Sequence, residues 1–143
     1  VQRVAATIRV ALANLEALLA REYTQAVTRW ADMVLVADVH RRGLGLLLAV
    51  RDARPDLLIV GMEHAELPGE CSHLLGEYPH LKVLGVPVTG TGPVLLYELS
   101  ERTLRLGAAT PDELVEAVRR TLRREDNGSA DQRTGTHGRV NEP

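Results

Sequence analysis

The sequence predicts an α/β fold: a small doubly wound five-stranded parallel sheet with helices on both faces. Three observations carry that expectation. Short apolar runs alternate with helical patterns along the chain, as in successive β-α units. The central run, Leu57–Gly61, is continuously apolar, as a strand covered on both faces must be. The 143 residues are 45% hydrophobic but only 3% aromatic, with no Phe. The core is therefore built from Leu, Val, Ala and Ile, which suits a helix-covered parallel sheet. A chain of this length can bury a core of its own. Ligands of such sheets gather at the carboxyl ends of the strands. There the central strand delivers Gly61, which brings no side chain and no chemistry.

Taken in order, Thr7–Ala13 reads as the first strand, with Ile8, Val10 and Leu12 alternating. Leu15 to Trp30 follows as a helix on Leu15, Leu18, Leu19, Ala26 and Val27, and Asn14 is placed to cap it. A single helix from Val4 to Trp30 is the competing reading. The β-branched residues before Asn14 favour the break. Met33–Val39 is the second strand, and Arg42–Ala53 the second helix, weakened early by Gly43 and Gly45. After the central strand come a short helix, Glu70–Glu77, and a fourth strand, Lys82–Val88. Thr89–Pro93 is a turn cluster. Val94–Leu99 fits a helix turn or a strand, and Thr103–Leu106 is the expected fifth strand. Thr110-Pro-Asp-Glu113 has the signature of a helix start, with Thr as cap, Pro first in the helix and Glu three beyond the cap. That helix runs to about Arg124. Asp126–Pro143 has almost no apolar content and is expected to be a disordered tail or linker, leaving 1–125 as the domain.

Composition narrows the function classes. A formal net charge of −2 gives no pull toward nucleic acid or an anionic membrane. One cysteine, Cys71, cannot close an intramolecular disulfide, and no apolar run approaches a membrane span. The expectation is a cytoplasmic protein.

The ordered strands and helices resemble the receiver domain of bacterial two-component response regulators. Ile8–Asn14 is similar to that family's opening strand, Ala53–Val60 (ARPDLLIV) to its third-strand run, His80–Val88 to its fourth strand, and Ala109–Leu122 (ATPDELVEAVRRTL) to its closing helix. The likeness spans roughly Thr7 to Arg124 and implies a flavodoxin-like, receiver-like sheet. The family transfers a phosphoryl group to an Asp after the third strand. It uses an acidic pair to hold Mg²⁺, a hydroxyl after the fourth strand and a Lys after the fifth. Hard divalent cations require carboxylate oxygens, and a transferring phosphoryl group requires charge neutralisation. By the resemblance, the acidic pair falls on Asn14 and Leu15, the phosphoacceptor on Gly61, the hydroxyl on Pro87 or its neighbour Val86, and the Lys on Gly107. None has the required chemistry, and the chain's only lysine, Lys82, lies at the wrong end of its strand. The chain resembles a degenerate, non-phosphorylatable receiver whose segment between strands 4 and 5 is shortened and remodelled.

Other motifs have plainer explanations. Asp38-Val-His40-Arg-Arg-Gly43 matches the D-x-H-x-x-G string of cobalamin-binding domains, but also an ordinary polar loop. Glu63, His64, Glu66, Glu70, Cys71 and His73 crowd one region, yet Cys71 and His73 are two apart on a short helix and do not face the same way. Thr89-Gly-Thr-Gly92 lacks the Lys and spacing of a phosphate-binding loop. The basic end of the last helix, with Arg119, Arg120, Arg123 and Arg124, suits the helix dipole.

No enzyme activity and no cofactor is expected. The expected function is regulation through a protein partner or homodimerisation, in signalling or transcription control. The face implied by the resemblance comprises Tyr97, Glu98, Arg102, Arg105 and Arg119. Two alternatives stay open: a small-ligand-binding α/β domain for cobalamin or a nucleotide, and the regulatory half of an atypical DNA-binding response regulator.

Overall fold

The computed structural model describes residues 7–63, 67–88, 94–98, 103–105 and 110–124. Strands β1 (Ile8–Ala13), β2 (Met33–Val39), β3 (Leu57–Met62) and β4 (Lys82–Pro87) alternate with helices α1 (Ala17–Thr28), α2 (Leu44–Ala53) and α3 (Gly69–Glu77). Two short strands follow, β5 (Leu95–Tyr97) and β6 (Thr103–Arg105), and then helix α4, residues 111–124. The tail expected at 126–143 lies outside the described residues.

The strands form one sheet in the order β2-β1-β3-β4-β5-β6. β1 to β4 are parallel, and their order reverses at β1/β3, the doubly wound pattern of flavodoxin-like sheets. Among the described residues the sheet has six strands rather than the expected five. The segment whose local pattern fitted helix or strand is a strand, β5, antiparallel to β4 through Val83↔Tyr97, Leu84↔Leu96 and Gly85↔Leu95. β6 pairs antiparallel with β5, and so runs in the direction expected of a fifth strand but one place further out. An antiparallel pairing of β5 on β4 thus stands where a β-α unit would place a parallel strand.

Burial explains the layers. Leu57 and Ile59 of β3 enter one core with Tyr23 and Val27 of α1 and with Leu114, Val115 and Val118 of α4. Their neighbours Leu58 and Val60 enter a second core with Leu46 and Val50 of α2 and Cys71 and Leu74 of α3. Alternate residues of one strand therefore feed two cores, the period-2 rule of a sheet covered on both faces. β2 is an edge strand with a bulge, where Val10 pairs with Leu35 but Ala11 with Ala37.

Helix ends follow local chemistry, with one exception to expectation. Thr110 and Glu113 form the expected capping box: the Glu113 N–H donates to Thr110 Oγ1 (3.2 Å), and the Thr110 N–H to Glu113 Oε1 (2.9 Å). Asn14, by contrast, does not cap α1. Glu16 does, its carboxylate accepting from the Leu19 N–H at 3.0 Å. Asn14 sits two residues earlier in the left-handed region, φ +57°, a conformation its short polar side chain tolerates.

Candidate functional site

The place to look is the crevice beyond the carboxyl ends of β1 and β3, where the strand order reverses. Ala13 pairs with Val60, so Asn14 and Gly61 come next on the two strands. The backbone oxygen of Asn14 lies against the α-carbon of Gly61. A Cβ added at Gly61 would overlap that oxygen and come within 2.9 Å of Val88 Cγ1. The blocking atom is backbone, so it cannot swing aside as a side chain would. Leu15, the second position of the expected metal-binding pair, is buried in the α1/α4 core. Pro87 closes β4 in register with Met62. Gly107 lies outside the described residues. Among the described residues, Asn14, Leu15, Gly61 and Pro87 bring no carboxylate to this crevice, and the Asn14 backbone and Val88 occupy the space beside Gly61.

Around this plug, a set of polar contacts fixes the loop between β2 and α2. Asn14 Nδ2 donates to the Arg41 carbonyl at 2.9 Å. The Gly43 N–H donates to Glu70 Oε2 at 2.8 Å, and Arg42 reaches Glu63 at 3.4 Å. The Gly43 N–H chiefly, then the backbone N–H of Glu70 and the charge of Arg42, hold the Glu70 carboxyl below its usual value. This network ties β1, α2 and α3 together at one end of the sheet. The sequence offered no local signal for it, since Asn14 and Arg41 are 27 residues apart.

The other motifs resolve individually. His40 sits 3.8 Å from Asp38, both on the surface, with side chains 63% and 40% exposed. Cys71 is fully buried, and burial pushes its thiol up to about 12, leaving it protonated and unreactive at neutral pH. His73 faces Glu77 at 3.4 Å, one turn along the same helix. No group of His, Cys, Asp and Glu among the described residues is arranged to hold a metal ion. His64 and Glu66, like Thr89–Gly92, lie outside the described residues.

The face named from the resemblance looks inward at three positions. Tyr97 packs half-buried against the α2/α3 core. Glu98 meets the only lysine: Glu98 Oε2 and Lys82 Nζ are 3.3 Å apart, with side chains just 10% and 9% exposed. Arg119 grips Asp32 with two hydrogen bonds of 2.8 Å and stacks 4.1 Å above the Trp30 ring, while Arg123 adds a third bond to Asp32 at 3.1 Å. Hydrogen bonds from Arg119 are the main reason the Asp32 carboxyl titrates below its ordinary 3.8. Arg102 and the side chain of Arg105 lie outside the described residues.

No protein-family model matches the chain, and no curated protein matches it. Among solved structures it is similar to the C-terminal domain of the coenzyme A biosynthesis bifunctional protein CoaBC, at 12% identity and a TM-score of 0.46. That match covers 87% of this chain and all of the other. The fold described above rests on this chain's own strand pairing. No helix among the described residues is long and apolar enough to cross a membrane.

Proposed function

We propose that this chain is a receiver-like regulatory module that acts without phosphorylation, through protein–protein contact, in bacterial signalling or transcription control. One observation carries the reading furthest: the position corresponding to the phosphoacceptor is a glycine against which the Asn14 backbone is packed. Replacing an acceptor Asp by a different polar residue would leave an empty, repairable pocket. Here the packed Asn14 backbone leaves no room for a Cβ at that position. The neighbouring positions agree, with a buried Leu15 where a second metal-binding carboxylate would stand and Pro87 where a hydroxyl would. A module of this kind changes state by differential binding of a partner, since only differential affinity can shift a conformational equilibrium.

The test is incubation of the chain with acetyl phosphate and Mg²⁺, followed by intact-mass measurement under conditions that preserve acyl phosphates. The expected spectrum shows the unmodified mass alone. A labile phosphoryl adduct on any Asp would overturn the reading.

A further inference from the structure

Among the described residues, Lys82 is the only polar or charged one that is buried. It opens β4, and Glu98 directly follows β5. The two strands pair antiparallel through Val83↔Tyr97, Leu84↔Leu96 and Gly85↔Leu95. One further step along that ladder sets Lys82 opposite Glu98, and Nζ and Oε2 are 3.3 Å apart. Withdrawing two charges from water costs about as much as their attraction returns. An apolar pair of similar volume would therefore serve stability as well or better. Stability does not account for this pair.

What the pair does fix is register. The alignment of a strand is ordinarily set by its apolar pattern or by its turn. Neither is decisive for β5. Val94-Leu-Leu-Tyr97 is apolar at four successive positions, with no alternation to choose a face. Val94 and Leu96 enter the α1/α4 core, while Tyr97 packs on the α2/α3 core, so both sides accept an apolar residue. Residues 88–94 join the strands, a connection longer than the tight turns that align a hairpin. A shift of β5 by two residues would keep every side chain on its present face. Leu84 would then meet Val94, or Val86 would meet Leu96, and apolar groups would still oppose one another. What either shift destroys is the ion pair. Lys82 would face Leu96, or Glu98 would face Leu84, and a charge would be buried without its partner. We infer that Lys82 and Glu98 are the register pin of the outer sheet. They select one antiparallel alignment of β5 on β4 from several that the apolar residues permit. β6 is placed through β5, its neighbour in the sheet, so the same pair aligns both outer strands.

The inference is separate from the proposed function, and the phosphorylation result does not bear on it. NMR of the 143-residue chain is expected to show one set of amide signals for β4 and β5, with cross-strand NOEs joining Leu84 to Leu96. Lys82→Met with Glu98→Leu should fold, because it replaces the pair by apolar groups of similar volume. It should also show a second set of signals for these strands, at about a tenth of the intensity or more. Lys82→Glu with Glu98→Lys keeps the attraction and should return to one set. Leu96→Glu with Glu98→Leu moves the carboxylate by two residues and should move the strand with it. The NOE between positions 84 and 96 would give way to one between Leu84 and Val94. A single, unshifted set in the Met and Leu variant overturns the inference. So does its failure to fold, which would make the pair a matter of stability. Two sets in the charge-exchanged chain, or a relocated carboxylate that leaves Leu84 facing position 96, would overturn it equally.

Discussion

The two ends of the sheet do opposite things. At the carboxyl end, where α/β proteins place their chemistry, this chain packs the Asn14 backbone onto Gly61 and buries Leu15. At the amino end charged side chains tie the sheet to its neighbours. Arg9 donates to the last carbonyls of α2, at 2.7 Å to Ala53 and 3.2 Å to Arg54, while its backbone N–H donates to Asp56 at 2.8 Å. Asp32, just before β2, takes Arg119 and Arg123 from α4, and Lys82, the first residue of β4, takes Glu98. Each of those contacts joins elements distant in sequence. The difference teaches that the polar side chains at the amino end hold the sheet and its last helix in place, and that at the carboxyl end Gly61 and Leu15 have been taken into the packing.

The strongest way to break this comparison is to reopen the crevice. Gly61→Asp restores the phosphoacceptor side chain that the resemblance calls for. It should instead cost about 3 kcal/mol or more, the upper range for overpacking a core against an immovable backbone. Urea denaturation would show the fall in midpoint, and acetyl phosphate should still leave no adduct. A stable, phosphorylated Gly61→Asp variant would mean that the plug yields.

Glu98→Gln is expected next in size, at about 3 kcal/mol, because it removes the carboxylate facing a nearly buried Lys82 charge. Replacing both partners by Met and Leu should recover most of that loss, as apolar substitutes for buried pairs often do. A neutral Glu98→Gln would show that the pair is more solvated than its exposure indicates.

The smallest effect is expected at Asp32. Asp32→Asn should cost about 1–2 kcal/mol at neutral pH, the worth of charge-assisted hydrogen bonds at a half-exposed site. Because the folded carboxyl titrates below its ordinary 3.8, its contribution is full above that value and fades as pH falls through the lowered one. The acid limb of the stability curve should therefore be shallower in Asp32→Asn. Trp30, the only tryptophan, lies under Arg119 and should report the change by fluorescence.

Much of the fold was legible because its signals are local. The capping box at Thr110 and Glu113 needs only four residues to declare itself. β2 and the cores of β3 and β4 announced themselves as apolar runs between turn residues. Asn14 misled because the same short amide that caps helices also tolerates a positive φ, and only its tertiary contact with Arg41 decides between them. β5 could not be read from Val94–Leu99 alone, since pairing with β4 is what makes it a strand. The site was half legible. Missing carboxylates can be read from a sequence, but the backbone filling their place cannot. Nor does a sequence show that Arg119, 87 residues from Asp32, is already engaged.

The burial of Lys82 reaches beyond stability. It is the only lysine in the 143 residues, and its amine is held against Glu98 between two strands. On the folded chain, amine-directed reagents, cross-linkers and lysine-tagging enzymes therefore find no side-chain target. Acylation at Lys82 would mark molecules in which β5 has parted from β4, and its rate would time how often that edge of the sheet opens.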